Sequence, residues 1–542
     1  MVLAAFEPFQ KWRHAKRGWR ERKQFKALTL QELEALAQVL RDEGATMWMA
    51  NPHQIVEAIV KVEQSWALRR NPDTAVQLGV MYDLVNRHQD ALSVYCEAFH
   101  LFPEHPRLRH EASIKLLRHG QPDDIRAFFE SVLRFDPEDV FAQFVSQMIK
   151  EYPSWVEALT TAMTAPHEKR DVYTLACAVW GEPFTTHFVR DLCAALLSPN
   201  NLPAFAKHHS IHFAIFTTAE IETRLRNDPI FIQLSSYAAI HFILYDPKWL
   251  QYKETMKHHY GTDLGLYYSR TCKFLLFSCA HYASLAAGRR IDSNVVPLCA
   301  GSTLSDGALP AMSDVMAKNI DVIAFCGFNL TEKTARPVIE QNFRDQTGSL
   351  SIPPQAFAKL FADHMPEQYF VDSPNFSSFP INLCWRVGPN ALLVHATHYH
   401  AICIRPAALA LPFELTIDPV DSRFLDRRIF DKDRIHFVQD LSITAFNLDG
   451  GAEADAKTEQ PGRMSVPAVG RWLWQVWGPW RASAFGSQIA IVDGPLPAGW
   501  HEMRKQAQDT ADQISRVAED LEEGNRRRKH WKLGPIKRPA LL

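Results

Sequence analysis

The stretch Val172–Phe184, VYTLACAVWGEPF, decides the fold class of the second part of the chain. Its first nine residues are almost all apolar and do not alternate with polar ones, as in a strand that is covered on both faces. Similar runs follow at SIHFAIFTT (210–218), SNVVPLCAG (293–301), NIDVIAFCG (319–327) and NALLVHAT (390–397). Segments with helical spacing, such as THFVRDLCAALL, separate them. The alternation predicts an α/β domain with a mostly parallel sheet.

Composition places the chain among ordinary globular proteins. It has 542 residues, of which 46% are hydrophobic and 22% charged, and a formal net charge of −2. This length predicts two to four domains. The nine cysteines include no CxxC pair, which argues against a zinc ribbon or a disulfide framework. No apolar run is long enough for a transmembrane helix, and the N-terminus lacks the features of a signal peptide, so we expect a cytoplasmic protein.

Basic charge is concentrated near the two ends of the chain. Residues 11–26 hold eight Lys or Arg against one Glu, and the tail RRRKHWKLGPIKR is also basic. Either segment can contact anionic lipid, which would place the protein peripherally at the inner membrane. The alternative is a solvated helix and a disordered tail. No nucleic-acid-binding module accompanies the charge, so we do not expect a nucleic-acid partner.

An internal repeat precedes the α/β segment. One copy covers Ala75–Pro103, AVQLGVMYDLVNRHQDALSVYCEAFHLFP. Its characteristic positions are Leu78, Gly79, Tyr82, Ala91, Tyr95, Ala98 and Pro103, most of which are small, aromatic or proline residues. Equivalent places 34 residues later hold Leu116, Ile125, Phe129, Val132 and Pro137, and a weaker copy lies around Ala58–Leu68. This pattern resembles the tetratricopeptide family. It predicts stacked helix pairs over residues 51–165, and the resemblance implies binding of an acceptor or a protein partner on the repeat.

Polar residues follow several of the predicted strands. The strand ends read WGEPF (180–184), TTAEIE (217–222), GSTLSDGALP (301–310), GFNLTEKTARP (327–337) and HATHYH (395–400). Ligands of parallel α/β sheets bind at the carboxyl ends of strands. The chain has no GxGxxG after the first strand, no GxxxxGK[ST] and no GxSxG, so dinucleotide, P-loop and serine-hydrolase sites are not predicted.

The same strand ends resemble bacterial glycosyltransferase-like proteins of the GT-A type, over about residues 172–440. The resemblance rests on Trp180-Gly181, on Ser305-Asp306-Gly307, on His398-Tyr399-His400 and on Thr416-Ile417-Asp418-Pro419-Val420-Asp421. It implies a Rossmann-like α/β domain that binds a nucleotide sugar. Two departures stand out: Ala300 or Gly301 occupies the place of an expected acidic residue, and Ala401 follows His400 where a proline is expected.

The resemblance assigns roles to particular residues. It implies donor binding by Trp180, Glu182, Thr217, Ser305, Asp306 and Arg336. Carboxylate and imidazole suit Mn²⁺ or Mg²⁺, so Asp306, His398 and His400 are the expected metal ligands. Asp418 or Asp421 is the expected general base on an acceptor hydroxyl. Structural alternatives remain open: Asp306 can cap a helix, the histidines can be buried and hydrogen-bonded, and Pro419 can place Asp418 and Asp421 in a turn.

Together these patterns predict a multidomain protein with an α-helical repeat followed by an α/β domain. The expected segments are a basic helical segment (1–50), the repeat (51–165), the transferase-like domain (170–448), a linker (449–465) and a Trp-rich segment with a polar helix and basic tail (466–542). The predicted function is transfer of a sugar from a nucleotide donor to a hydroxyl of a glycan, lipid-linked or protein acceptor. The alternatives are a non-catalytic transferase-like scaffold and a metal-dependent hydrolase built on the histidines.

Overall fold

The structure is a computed structural model. It describes residues 29–50, 54–164, 171–373, 382–396, 399–409, 416–417, 420, 424–425, 431–449, 465–477 and 488–529. The chain divides into two compact units: residues 1–146 together with 521–542 form a helical unit, and residues 147–520 form an α/β unit. An N-terminal helical region followed by an α/β region with a mostly parallel sheet is therefore confirmed.

Several helices of the helical unit begin at proline or at a polar residue. The first helices of the chain are α1 (Leu30–Ala50), α2 (Ile55–Leu68), α3 (Pro72–Leu84), α4 (His88–Leu101), α5 (Pro106–His119), α6 (Pro122–Phe135) and α7 (Val140–Met163), which ends in the α/β unit. Proline is the first residue of α3, α5 and α6, where its missing N–H and fixed φ cost nothing. The Asn71 side chain caps α3 by accepting hydrogen bonds from the Asp73 and Thr74 amides.

Helix starts in this unit recur at a constant interval. Helices α3, α5 and α7 begin at residues 72, 106 and 140, which are 34 residues apart, and α4 and α6 begin at 88 and 122, also 34 apart. The helices therefore follow one another with the period that the sequence predicts.

Close packing of α3 on α4 explains the glycine in the repeat. A Cβ atom on Gly79 would lie 2.2 Å from Cζ of Tyr95, so no larger residue fits while the tyrosine keeps its place. Ala91 and Ala98 on α4 are fully buried, and Tyr95 is fully buried between them in sequence. Small residues thus allow the two helices to approach, and the aromatic ring fills the space that they leave.

The α/β unit begins its alternation of strands and helices after α7. Its strands are β1 (Val172–Ala178), β2 (Ser210–Thr217), β3 (Ala239–Leu244), β4 (Ser293–Cys299), β5 (Ser302–Leu304), β6 (Val322–Cys326), β7 (Phe328–Thr331), β8 (Asn382–Gly388), β9 (Ala391–Ala396), β10 (Tyr399–Ile404), β11 (Ile435–Phe437), β12 (Ala445–Asp449) and β13 (Gln488–Val492). A π-helical stretch, Phe188–Cys193, joins the first two helices after β1.

The helices of this unit connect the strands. They are α8 (Glu182–His187), α9 (Ala194–Leu196), α10 (Leu202–Phe205), α11 (Ala219–Arg226), α12 (Pro229–Leu234), α13 (Pro247–Leu250), α14 (Tyr252–Tyr260), α15 (Thr262–Arg290), α16 (Ala308–Met316), α17 (Glu332–Phe343), α18 (Ala356–His364), α19 (Val466–Trp477) and α20 (Trp500–Lys529). The long helix α15 packs against β1 and β4. No helix of the described residues combines the length and the apolar character needed to cross a bilayer.

Seven strands form the central sheet, in the order β11-β6-β10-β4-β1-β2-β3. Strands β3, β2, β1 and β4 are parallel to one another. Strand β11 is parallel to β6, and β10, which lies between β6 and β4, is antiparallel to both. Strand β1 alternates its side chains between two cores: Leu175 and Cys177 lie in one, and Ala176 lies in the other. Both faces of the sheet are therefore covered, as the unbroken apolar runs predict.

Two smaller sheets flank the central one. Strands β5, β12 and β7 form the first, and β13, β9 and β8 form an antiparallel second sheet. The predicted strand at 390–397 is present as β9, but it lies in this antiparallel sheet rather than in the parallel one. Residues 11–26, the basic tail after Lys529, the expected linker at 449–465 except Asp449 and Ser465, and three site candidates (His398, Asp418 and Asp421) lie outside the described residues.

Candidate functional site

The order of the central strands identifies where a ligand site is expected. Strand β1 pairs with β2 on one side and with β4 on the other, so the direction of winding reverses between β1 and β4. In open α/β sheets a crevice forms at the carboxyl ends of the strands at such a switch point. Here those ends lead into Trp180-Gly181 and Ala300-Gly301. Gly181 has φ +79° and ψ 150°, a conformation that side-chain-bearing residues rarely adopt, and it turns the chain directly into α8.

A charged cluster follows β1 along the chain, where α8 continues into the π-helical stretch. Nδ1 of His187 lies 2.8 Å from Oδ2 of Asp191. The Arg336 guanidinium, from α17, approaches both oxygens of the same carboxylate at 3.0 and 3.1 Å. Burial would raise the pKa of Asp191, but the hydrogen bonds from His187 and Arg336 and the charge of Arg336 hold it below its usual value. Asp191 is therefore an ionised carboxylate that is almost fully buried.

This carboxylate determines how His187 presents itself. Nδ1 of His187 has two neighbours, since Oδ2 of Asp191 lies at 2.8 Å and Nη2 of Arg336 at 3.1 Å. A carboxylate only accepts and a guanidinium only donates, so the Asp191 contact requires a proton on Nδ1 and the Arg336 contact requires a lone pair there. In the tautomer that donates from Nδ1 to Asp191, Nε2 carries the lone pair and can accept a proton. The side chain is 21% exposed.

The loop after β4 brings further groups to the same place. A Cβ atom on Gly301 would lie 3.9 Å from Cβ of His187 and 3.9 Å from Oδ1 of Asn447, so α8, β12 and this loop meet there. Ser302 donates a hydrogen bond of 3.1 Å to Oδ1 of Asn447. Cys299, the last residue of β4, is exposed, and yet burial raises the pKa of its thiol to about 11.

A lysine also approaches the end of β4. Nζ of Lys273, on α15, lies 5.2 Å from the centre of the Phe184 ring. Its charge lowers the pKa of the Cys299 thiol, against the larger opposing effect of burial. The Phe184 ring is 45% exposed. We call the set His187, Lys273, Cys299, Gly301 and Asn447 the switch-point site.

An aromatic cavity lies at the carboxyl ends of the neighbouring strands β2 and β3. It has a volume of about 370 Å³. Its lining residues are Glu151, Trp155, Ala219, Leu244, Tyr245, Asp246, Pro247 and Trp249. The Trp155 ring lies 5.5 Å from Tyr245 and 5.7 Å from Trp249, centre to centre. Because Trp155, Tyr245 and Trp249 are only 2–6% exposed, their rings pack chiefly against one another, and the carboxylates of Glu151 and Asp246 also line the cavity.

Two residues, Thr217 and Trp180, lie between this cavity and the rest of the carboxyl edge of the central sheet. Thr217, the last residue of β2, pairs with Leu244 in the cavity wall. Its hydroxyl is buried, and the described residues give it no hydrogen-bond partner, which is unusual for a buried polar group. Trp180, after β1, contacts the Tyr245 ring at 5.9 Å and shares a hydrogen bond with Tyr252. The cavity and the end of β1 are therefore adjacent.

The predicted site residues have varied surroundings. Trp180 and Thr217 lie at the carboxyl edge, beside the aromatic cavity. Glu182 is exposed and forms an ion pair with Arg224. Arg336 is engaged by Asp191 and also by Glu332, 2.6 Å from its Nε. His398, Asp418 and Asp421 lie outside the described residues and stay predictions.

The Ser-Asp-Gly motif makes internal contacts. Asp306 accepts hydrogen bonds from the Ser198 hydroxyl at 2.6 Å, the Asn200 amide at 3.1 Å and the Asn200 side chain at 2.8 Å. Ser305 is fully buried and donates to the carbonyl of Ser442 at 3.3 Å. These contacts join the loop after α9 to the start of α16, and they occupy both oxygens of Asp306.

His400 is half-buried near the same edge of the sheet. It is the second residue of the antiparallel strand β10 and pairs with Phe325, whose ring centre is 6.0 Å away. A Cβ atom on Gly327 would come within 3.1 Å of the His400 ring. Burial lowers the pKa of His400 to about 4, so the imidazole is neutral near neutral pH. No described contact joins His400 to Asp306.

The described residues do not fit a Mn²⁺ or Mg²⁺ site at the end of β4. These ions require oxygen ligands, chiefly carboxylates, whereas β4 ends in Cys299 followed by Ala300 and Gly301. Within the described part of the chain, no group of three or more His, Cys, Asp or Glu side chains is arranged to hold a metal ion. The expected ligands His398 and Asp418 cannot be placed, because they lie outside it.

Sequence reasoning did not identify three residues of this region: His187, Asp191 and Lys273. A signal for the first two exists, because a His and an Asp four residues apart share one face of a helix that follows the first strand. For Lys273 the signal is a single lysine within the apolar run CKFLLFSCAHYASLAA, at a half-buried position. The sequence matches no family model, and no curated protein matches it either.

Proposed function

We propose that the α/β unit binds a nucleotide sugar and transfers the sugar to a hydroxyl group. The observation that carries the proposal is the adjacency, at one sheet edge, of the cavity beside Tyr245, which Trp180 contacts, and of His187 next to the loop after β4. The strand order β3-β2-β1-β4 is the first half of doubly wound nucleotide-binding sheets, which supports the GT-A-type resemblance.

Each part of a nucleotide sugar has a matching environment at this edge. The planar base suits the cavity that Trp155, Tyr245 and Trp249 help to line. The diphosphate suits the carboxyl ends of β1 and β4, where doubly wound sheets form their ligand-binding crevice. The sugar then lies towards His187.

His187 is the described residue best suited to act as the general base. Asp191 holds Nδ1, so the lone pair of Nε2 is free to take the proton of an acceptor hydroxyl. The acceptor oxygen then forms a bond to the anomeric carbon of the sugar, and the bond from that carbon to the diphosphate oxygen breaks. The nucleoside diphosphate leaves with the electron pair. Asp418 and Asp421 remain the alternative bases.

The helical unit is proposed to recognise the acceptor or a protein partner. The 34-residue spacing of the helix starts and the Gly79–Tyr95 contact support a tetratricopeptide-type stack. Such stacks bind partners along extended surfaces. Peripheral contact with anionic lipid through residues 11–26 and the basic tail also remains a proposal.

Calorimetric titration of the full chain with a panel of nucleotide sugars tests the transferase proposal. We expect binding of at least one donor, and a loss of about tenfold in affinity for Trp249→Ala, because base–aromatic stacking contributes roughly 1–3 kcal/mol. Phe135→Ala, which removes an exposed ring of the helical unit, is the control and should bind like the parent protein.

A second candidate function is a non-catalytic scaffold. It is favoured by the internal engagement of Asp306 and Arg336 and by the lack of a carboxylate at the end of β4. The same titration separates the two functions. If no donor in the panel produces heat, or if Trp249→Ala binds as well as the parent protein, the transferase proposal is wrong and the scaffold is favoured.

A further inference from the structure

We propose that Arg336 is a positioning residue, which acts through Asp191 to hold His187 in place and to keep its imidazole neutral. This inference rests on the proposed function and specifies how the general base is prepared to accept a proton. It differs from the donor contact that the GT-A resemblance implies for Arg336.

Carboxylates of the described chain already surround the Arg336 guanidinium. Nη1 and Nη2 donate hydrogen bonds to the two oxygens of Asp191 at 3.0 and 3.1 Å, and Nε donates to Glu332 at 2.6 Å. A third carboxylate, that of Glu340, lies 3.6 Å from Nη1. Only 15% of the Arg336 side chain is exposed. A diphosphate would have to displace these partners, so a link between parts of the fold suits Arg336 better than a donor contact.

The contacts of Arg336 join three elements at the candidate base. His187 ends α8, Asp191 lies in the π-helical stretch Phe188–Cys193, and Arg336 lies on α17. Turns of π-helix within α-helices are rare and occur frequently at functional sites. A guanidinium that forms two parallel hydrogen bonds with a carboxylate fixes its orientation more strictly than a single contact does. Arg336 therefore sets the orientation of Asp191, which in turn contacts Nδ1 of His187 at 2.8 Å.

Arg336 also influences whether His187 carries a proton. Asp191 alone would attract a proton to the imidazole, because an ionised carboxylate stabilises the imidazolium. Arg336 opposes this attraction in two ways: it neutralises Asp191, and its own Nη2 lies 3.1 Å from Nδ1 of His187. Burial disfavours the ionised form of Asp191, but the contacts with His187 and Arg336 keep its pKa below the usual value. The pair is therefore balanced in charge and favours a neutral imidazole at His187.

The other charged groups around His187 balance one another. Three carboxylates meet three guanidinium groups where the π-helical stretch and α17 come together; they are Asp191, Glu332, Glu340, Arg190, Arg336 and Arg344. Further titratable groups on neighbouring elements are the ion pair of Glu182 with Arg224, Lys273 of α15, and Cys299 at the end of β4. These further groups are the same in all the variants compared below, so differences between variants report on Arg336 and Asp191.

The test is the pH dependence of His187 modification by diethyl pyrocarbonate, a reagent that acylates neutral but not protonated imidazole. Mass spectrometry of the His187 peptide, after modification of the full chain, gives the rate at each pH and hence the midpoint of the profile. We expect Arg336→Gln to raise this midpoint by about one pH unit, because Asp191 then attracts a proton that Arg336 no longer opposes. Arg336→Lys, which keeps the charge, should leave the midpoint close to that of the parent protein.

Further variants separate this effect from a general loss of structure. Arg226→Gln is the matched control, since Arg226 also pairs with a glutamate four residues earlier but is exposed, and its midpoint should equal that of the parent protein. The double variant Arg336→Gln/Asp191→Asn removes both charges and should return the midpoint towards the parent value. If Arg336→Gln fails to fold, Asp191→Asn alone gives the opposite prediction: the midpoint should fall, because Asp191 no longer offsets the charge of Arg336.

Three results would overturn the inference: equal midpoints for Arg336→Gln and Arg226→Gln, a midpoint that falls in Arg336→Gln, or no reaction of His187 in the folded parent protein at any pH. Loss of nucleotide-sugar binding in Arg336→Gln with an unchanged midpoint would instead make Arg336 a donor contact. Failure of the proposed function looks different. In that case the midpoints shift as expected, but no nucleotide sugar binds, which leaves a neutral, oriented histidine without a transferase.

Discussion

Asp306 shows how a residue can be recognised as important while its role stays undecided. Its place in a Ser-Asp-Gly motif at a strand end is compatible with a donor contact and with a structural cap. The structure surrounds it with hydrogen-bond donors from Ser198 and Asn200, which lie 108 and 106 residues away in the sequence. We therefore expect Asp306 to act chiefly as a tether between two loops.

Replacing Asp306 by alanine should lower stability rather than donor affinity. The Ser198 and Asn200 donors would lose their acceptor, so we expect the free energy of unfolding to fall by about 1–3 kcal/mol. Chemical denaturation measures this change, and calorimetric titration with a nucleotide sugar that binds the parent protein measures donor affinity. Asp363→Ala, which removes an exposed carboxylate paired with Lys359, is the control. A stable Asp306→Ala protein that no longer binds donor would instead make Asp306 a ligand contact.

His187 and Lys273 illustrate the opposite situation at the residue scale. Neither belongs to a recognisable motif, and their significance comes from neighbours on other elements. His187 contacts Asp191, four residues further on, and lies beside Gly301 of another element, while Lys273 lies 5.2 Å from the centre of the Phe184 ring. The spacing of His187 and Asp191 can be read from the sequence, but the approach of His187 to the loop after β4 depends on how helices and strands pack.

Among the elements, regular periodicity was the most reliable guide. The apolar run at 172–180 predicted β1, and the spacing of THFVRDLCAALL predicted the helical segment after it. The π-helical stretch Phe188–Cys193 inside that segment was not predicted, because a change from α to π hydrogen bonding has no clear sequence signal. Similarly, β9 was found as a strand, but its partners in a separate antiparallel sheet could not be read from its own residues.

The contact of α3 with α4 leads to a prediction about packing. A methyl group on Gly79 would overlap the Tyr95 ring, so Gly79→Ala should destabilise the helical unit by about 1–3 kcal/mol. Denaturation followed by far-UV circular dichroism measures the loss. In the double variant Gly79→Ala/Tyr95→Leu, the leucine side chain is smaller than tyrosine and leaves room for the alanine methyl group.

That double variant provides the control for the packing argument. It should lose less stability than the sum of the two single variants, because the clash occurs only when the methyl group and the ring are both present. Additive losses, or a Gly79→Ala protein as stable as the parent, would contradict the close approach of the two helices.

At the scale of the whole molecule, buried neutral histidines make stability depend on pH. Burial lowers the pKa of His110 in the helical unit and of His281 in the α/β unit from 6.5 to about 4. Between these two values the unfolded chain binds protons that the folded chain excludes, so stability falls as the pH is lowered from 6.5 to about 4. Each histidine contributes at most roughly 3.5 kcal/mol to this loss.

Denaturation midpoints measured across this pH range test the effect. His281→Gln should reduce the dependence of stability on pH, since it removes one buried titrating group, whereas His208→Gln, at an exposed position, should leave it unchanged. A pH dependence that is identical in the parent protein and in His281→Gln would contradict the burial of a neutral imidazole at this position.

The sequence by itself determined the class of fold: a helical region with a 34-residue period, followed by an α/β region with a mostly parallel sheet. Hydrophobic periodicity and helix-start residues act over a few positions, and so they can be read along the chain. Only the tertiary structure decided which side chains meet. Arg336 reaches Asp191 across 145 residues, and Lys273 on α15 comes within 5.2 Å of the centre of the Phe184 ring. Contacts of this kind depend on the packing of whole elements, and the composition of the candidate site depends on them.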